Sequence, residues 1–422
     1  MNDLRNRIIF VIFILIIYRI GAHIPVPLVD TKQVLDSFSD INRNIFSMFN
    51  LFSGGALAKV TIFSLGIMPY ISASIVIQLL STIWHPLKKI QKEGNSGKKK
   101  LSSYTRYLTL ILASIQALAM STFISSVSLT NTFGILHYSV ITLTLVSGTL
   151  LLMWLGEQIN EKGIGNGISL IIFTSIISNI PRTIVNSMEK LRQGEIGFLI
   201  MLIFIITLIL IIILIIITER AQRKIFINYP KKQQGRKIFA AQTNYLPFKI
   251  NMANVIPPIF ASSIILFPVT ALKWINSTIQ ISYLDYLINL FTPGNILYII
   301  SFSSLIIFFS FFYTNLVFNA KETAENLKKS GGFVSSVRPG EQTTTYISKI
   351  INNLTYIGSI YLCIVCIIPE IIVLIADIPF YFGGTSLLII VVVIMDFITQ
   401  VQSRLISHQY DNLIKKHKYK TF

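Results

Sequence analysis

Apolar residues in this chain gather in long runs, without the period-two alternation of a half-buried strand or the one-sided stripe of a soluble helix. Ten runs recur from end to end, at about residues 8–24, 61–80, 104–126, 137–155, 165–184, 197–218, 252–272, 294–318, 354–374 and 383–405. Each approaches the roughly 20 residues a helix needs to cross ~30 Å of hydrocarbon. In that medium every backbone group must be satisfied within the protein, so a helix is expected in each run.

Two stretches depart from a plain span. Residues 44–80 form a segment of about 37 residues, too long for one helix of ordinary tilt. Phe52-Ser53-Gly54-Gly55 breaks it, which predicts a short half-helix over residues 45–51 and just past the glycines, feeding the second span. Irregular backbone survives at membrane depth only where protein or a wet cavity satisfies it, so this element belongs inside the bundle. The second stretch is KINMANVIPPIFASSIILFP, residues 249–268. Pro257 and Pro258 take partners from the carbonyls of Ala253 and Asn254, and an interior helix proline costs about 3 kcal/mol or more. Asn251 and Asn254 lie three apart, near one face. A wetted helix with loosened packing fits this pattern; a kinked helix packed on its neighbours is the plainer alternative.

The polar linkers at about 219–249 and 319–349 are each too short to bury a core alone. They are expected to project as hairpins or short helices. Gly235 marks a turn beside Arg236 and Lys237, and Pro339-Gly340 holds Arg338 at a loop tip. The ten runs divide into halves, 1–184 and 185–422. An odd count per half suits inverted repeats, although no internal sequence identity supports them.

Composition sharpens the picture. The chain is 53% hydrophobic and 13% charged, with a mean hydropathy of +0.67; this is a membrane composition. With the amino terminus inside, the cytoplasmic segments hold 28 Lys/Arg against 10 Asp/Glu, and the remainder 8 against 8. The net charge of +18 is then wholly cytoplasmic, as retention of Lys and Arg on that side requires. Residues 1–24 read as an uncleaved first span, because Tyr18-Arg19-Ile20-Gly21 stands where a small-residue cleavage site would be.

Catalytic and cofactor chemistry finds no footing. Only two residues separate the glycines of Glu93-Gly94-Asn95-Ser96-Gly97-Lys98, and Gly163-Ile164-Gly165-Asn166-Gly167 follows no strand, so neither is a nucleotide cradle. The five histidines have no metal-ligand spacing. Cys363 and Cys366 sit in an apolar run without a basic neighbour and read as packing residues. Besides Arg19, which can snorkel, the candidate intramembrane charges are Glu157 and Asp396, both expected in the cytoplasmic third of their spans. A non-enzymatic membrane protein with no cofactor or metal is expected.

The strings FNLFSGGALAK, SLGIMPYISASIVIQLL, MWLGEQINEKGIGNGIS, the stretch from Tyr229 through the Asn-Pro segment, FFYTNLVFNAKETAENLKKSGGFVSSVRPGEQT and PFYFGGTSLLIIVVVIMDFITQVQS resemble the SecY family of protein-conducting channels, in order and over essentially the whole chain. The resemblance implies an all-α polytopic fold, with ten helices in two pseudo-symmetric halves around an hourglass pore. It implies a passive channel in the bacterial inner membrane that passes unfolded secretory proteins and releases apolar segments sideways into lipid. Carried over, the pore ring is Ile67, Ile71, Ile168, Ile172, Ile259 and Ile389. The plug covers about residues 45–59, including Phe49, Phe52, Ser53, Gly54 and Gly55. The lateral gate includes Gln78, Asn254, Pro257 and Pro258; the family more often has Gly and Ala at 254 and 258. Motor and ribosome contacts fall on Arg236, Lys237 and Arg338. The implied partners are SecE and SecG subunits, the SecA motor ATPase, the ribosome, unfolded preprotein with its signal peptide, and membrane lipid.

The residue types at these positions suit the task. A collar of stiff β-branched apolar side chains dewets when empty and parts around a peptide. Positive-inside bias by itself accounts for most loop lysines, whereas Arg at a rigid turn can dock bidentately on carboxylate or phosphate. Two rivals remain at this level. A secondary transporter with broken helices would need a coupling acid at the midplane, and a non-transporting scaffold or insertase would need no seal.

Overall fold

The computed structural model describes residues 2–29, 50, 53–127, 134–229, 232–234, 237–239, 242–279, 288, 290–291, 295–335, 337–376 and 383–418. Its helices are α1 (Asn2–Gly21), α2 (Met68–Ile83), α3 (His85–Lys92), α4 (Asn95–Val127), α5 (Gly134–Lys162), α6 (Gly167–Gln193), α7 (Phe198–Arg220), α8 (Ile256–Ile279), α9 (Ile296–Val317), α10 (Ala320–Ser330), α11 (Glu341–Ala376) and α12 (Gly384–Lys418). Each of the ten apolar runs holds one long helix. Among the described residues six are long and apolar enough alone to cross a membrane: α5, α6, α7, α9, α11 and α12. Counting α2 with α3 as one bent span, with a 102° break between them, adds a seventh.

Several helices outrun their apolar segments. α4 begins at Asn95 and α12 continues to Lys418, so both carry basic residues beyond the hydrocarbon. The outward faces are greasy, the inverse of a soluble protein. On α7 only 17% of the most apolar window is buried inside the protein, and Ile209 and Leu210 are exposed. A helix apolar all round has lipid as its solvent. On α1 the buried positions Val11, Ile14 and Tyr18 follow the three-and-four spacing of a single inward stripe.

Helices α1, α2, α4, α5 and α6 pack on one another, as do α7, α8, α9, α11 and α12. The two sets meet along two seams: α8 lies against α2 and α4, and α12 lies against α6 and α1. One large cluster spans both sets.

The linkers depart from expectation in an informative way. Strand β1 (Gln222–Tyr229) pairs antiparallel with β4 (Gln242–Lys249), from Gln222 opposite Lys249 to Tyr229 opposite Gln242. Between them β2 (Lys232–Gln234) pairs with β3 (Lys237–Phe239). Short β5 (Phe333–Val334), from the other linker, adds to the free edge of β1. Each linker is too short to bury a core, yet together they do so: Ile225, Phe248 and Val334 pack with Ile347, Ile351 and Leu354 of α11. The all-α fold thus carries a small sheet outside its membrane helices.

The expected half-helix past the glycines is corrected as well. Residues 53–66 run as consecutive turns and a single bridge, Pro25 to Thr61. Gly54, Gly55 and Val60 all have positive φ (70°, 82° and 46°), and left-handed residues cannot propagate a right-handed helix. Phe49, Phe52 and the rest of residues 45–52 except Asn50 lie outside the described residues.

Candidate functional site

The six isoleucines come from four helices, all near their N-terminal ends. Ile67 caps α2 and Ile71 sits one turn on; Ile168 and Ile172 occupy the first two turns of α6. Ile259 is in the first turn of α8 and Ile389 in the second of α12. All six belong to or pack against the same apolar cluster, and five are between 1% and 8% exposed. The start of α6 is set by Asn166, whose side chain accepts from the Ile168 amide at 3.2 Å. A Cβ at Gly167 would strike the Gly156 carbonyl, so this glycine lets α5 and α6 close up and brings Ile168 and Ile172 inward.

Beside them the glycine turn is held by polar contacts from α1 and α6. Tyr18 Oη donates to the Ser53 carbonyl at 3.2 Å and lies 2.6 Å from Ser175 Oγ. Ser178 Oγ donates to the Gly54 carbonyl at 3.3 Å and Arg19 Nη1 at 3.4 Å. The fit leaves no room for a side chain at Gly54, where a Cβ would lie 2.9 Å from Tyr18 Oη. The turn is also braced internally: the Gly55 amide donates to the Asn50 carbonyl at 2.8 Å, and the Leu57 amide to Ser53 Oγ at 3.2 Å. Partial burial, with repulsion from Arg182 and Arg19, lowers the pKa of Lys59.

At the head of α8 a polar network replaces the expected helix defect. The helix begins at Ile256, so Pro257 and Pro258 stand in its first turn, where an amide would have no intrahelical partner. The interior-proline penalty therefore does not arise. The proline inside this helix is Pro268. Asn254 has φ of +58°, a conformation that only Gly and, among L-residues, chiefly Asn and Asp adopt readily. Its Nδ2 donates to Asp396 Oδ2 of α12 at 3.1 Å, and Lys249 Nζ stands 3.9 Å from Asp396 Oδ1. Asn251, buried, donates to Glu219 Oε1 of α7 at 2.6 Å and to the Asn254 carbonyl at 3.1 Å. Across the α2–α8 seam, Gln78 Nε2 donates to Ser74 Oγ of its own helix at 3.1 Å.

A family model described as SecY matches residues 61–398. A protein of Escherichia coli bearing the name "Protein translocase subunit SecY" is 49% identical over 420 residues, covering 99% of this chain and 95% of its own. The chain belongs to the SecY family. The relative of that name in Buchnera aphidicola of Acyrthosiphon pisum is 51% identical, over 98% of this chain and 95% of its own. Among solved structures, one titled "The structure of a protein conducting channel" superposes with a TM-score of 0.71 at 17% identity, covering 96% of this chain and 93% of that one. The Sec channel in a canine ribosome–channel complex from the endoplasmic reticulum gives 0.68 at 16% identity, with the same coverages. This SecY chain is a mostly helical, multi-pass membrane protein with the fold of those channels.

The SecY resemblance directs attention to the loop tips. Arg338 is exposed, its own carbonyl fixed by Thr343 Oγ1 at 2.8 Å. Lys237 opens β3, paired with Gln234; Arg236 lies outside the described residues. The two intramembrane acids named from sequence are paired with basic residues: Glu157 Oε1 accepts from Arg106 at 2.8 Å, and Asp396 lies by Lys249. Glu370 also lies in a run, on α11 beside Pro369, and is an omission from the sequence reading. Glu219, Tyr18 and Ser175 were equally passed over. Their signal was faint but present: Ser175, Ser178 and Asn179 make a polar strip on α6. Among the described residues no cluster of His, Cys, Asp and Glu could hold a metal.

Proposed function

We propose that this chain is the channel-forming subunit of a bacterial inner-membrane translocase, a passive pore for unfolded secretory proteins. The observation that carries the reading is the convergence of Ile67, Ile71, Ile168, Ile172, Ile259 and Ile389 in one buried apolar cluster, built where two helix sets meet. Empty, such a collar excludes water and ions; a polypeptide parts it without needing specific contacts. The turn at Ser53, Gly54 and Gly55 acts as the plug. The seam between α2 and α8 acts as the lateral gate, with Gln78, Asn254, Pro257 and Pro258 at its edge, through which apolar segments partition into lipid. The halves 1–184 and 185–422 hinge along the α6–α12 seam, and both termini are cytoplasmic.

The chain supplies no energy in this reading. A bound SecA motor or a translating ribosome drives transport through Arg236, Lys237 and Arg338, with SecE and SecG as accessory subunits; the canine neighbour was seen with a ribosome. Reversing charge at Arg338 is expected to cut motor-driven secretion about tenfold and to spare membrane insertion, since a charged tip contact removed and opposed is worth ~1–2 kcal/mol. Equal losses in the two assays would remove the docking role. The whole reading is tested by reconstituting the complex in vesicles with a radiolabelled precursor, motor and ATP. Protease-protected precursor is the expected result, and its absence in a folded, motor-binding complex would contradict the proposal.

A further inference from the structure

The contacts that hold the turn contain an unusual proton count. Tyr18 Oη reaches the Ser53 carbonyl at 3.2 Å and Ser175 Oγ at 2.6 Å; Ser175 Oγ also reaches the Ile171 carbonyl of its own helix at 2.9 Å. Two hydroxyl hydrogens therefore face three contacts. Tyr18 and Ser175 are each 1% exposed and Ser53 is 2% exposed, so water does not fill the deficit. With the turn in place, Ser175 donates to Tyr18 and Tyr18 donates to the Ser53 carbonyl, a chain in which each bond strengthens the next. With the turn withdrawn, the chain reverses: Tyr18 donates to Ser175, and Ser175 donates back to Ile171. Both hydroxyls are donors in both states.

We infer that the Tyr18–Ser175 pair is a partner-exchanging latch that makes plug release reversible. Without the exchange, release would leave the Tyr18 hydroxyl with no protein acceptor, a loss that the bond to Ser175 makes good. With it, release costs Tyr18 only its bond to Ser53, beside the bonds that Ser178 and Arg19 give to Gly54. Tyr18 and Ser175 are thus positioning residues for the plug, and their removal has opposite consequences. Tyr18→Phe keeps the ring, which stacks on Phe63 with centroids 5.9 Å apart, and deletes the donor that serves Ser53. Ser175→Ala leaves that donor intact with the plug seated but gives it no acceptor once the plug leaves. Loss of Tyr18 Oη loosens the plug; loss of Ser175 Oγ tightens it.

The inference rests on the reading of residues 53–55 as a plug, and two readouts on the full complex in lipid nanodiscs and planar bilayers separate the two. Amide hydrogen exchange across residues 53–59 reports the unseated population. Tyr18→Phe is expected to raise it about tenfold, equivalent to ~1.4 kcal/mol, and Ser175→Ala to lower it about threefold. A purely structural pair would shift both variants the same way, and that result, or no change in either, overturns the latch. Ser178→Ala, which loses the bond to Gly54 and the one returned to the Ser175 carbonyl of its own helix, should loosen the turn and never tighten it. Resting ion conductance tests the plug itself. If exchange moves in opposite directions while conductance stays at wild-type level even after residues 53–59 are deleted, the latch stands and the plug reading falls.

Discussion

Replacing Ile71 and Ile259 together by serine is expected to make resting membranes leak ions, with conductance of the substrate-free complex at least about tenfold above wild type. The two side chains are 6% and 8% exposed and come from α2 and α8, on opposite sides of a seam. A constriction stays dry because its lining offers water no partner; two hydroxyls supply one and lower the barrier to wetting. The helices tolerate the change locally, since serine in this chain habitually returns its hydroxyl to the preceding turn, as Ser263 does to the Ile259 carbonyl at 2.8 Å. Each large-to-small change in a packed core still costs ~2–5 kcal/mol, so folded complex is quantified first. The paired valine variant should remain closed. Wild-type conductance from a folded serine variant would show that ions never meet these side chains.

The second large effect is expected at Asn251, which is 2% exposed. Both hydrogens of its amide are committed, one to Glu219 Oε1 at 2.6 Å and one to the Asn254 carbonyl at 3.1 Å. Glu219 is itself only 5% exposed. Asn251→Ala strands a buried carboxylate oxygen and a carbonyl at the head of α8, and should destabilise the protein by ~2–4 kcal/mol, at ~1–3 kcal/mol for each unsatisfied group. Thermal denaturation in detergent measures it. Adding Glu219→Gln should recover part of the loss, because a neutral amide is cheaper to leave unpaired than a carboxylate. A change within about 0.5 kcal/mol, the range of ordinary surface substitutions, would mean that the network does not anchor this helix.

The contrast between these sites shows what could be read from sequence. Helices in membranes are forced by backbone chemistry, so all ten apolar runs contain one; their ends were less legible, because α4, α11 and α12 extend into water where polarity no longer distinguishes helix from loop. Pro257 and Pro258 announced an interruption correctly but not its kind. A proline pair inside a helix and one in its first turn look alike in sequence, and only the left-handed Asn254 upstream fixes the boundary. The asparagines did solvate a freed carbonyl, as the pattern suggested, within a protein network reaching Glu219 and Asp396. Pairing of β5 with β1 was beyond local reading, since it joins residues more than a hundred apart. The ring isoleucines are indistinguishable by composition in so isoleucine-rich a chain; their flanking strings carried the assignment. Tyr18 and Ser175 escaped because each alone is an unremarked polar residue in a greasy helix.

The central claim is that a translocating chain passes among these six isoleucines, and site-specific photocrosslinking addresses it directly. A photoreactive side chain placed in turn at Ile71, Ile172, Ile259 and Ile389, and at the outward-facing Ile209 as control, is challenged with a precursor stalled midway by a folded carboxy-terminal domain. Adducts to the precursor from all four inner positions, and none from position 209, are the predicted result. Adducts confined to position 209, or absent from the inner four while precursor is demonstrably stalled in the complex, would contradict the account.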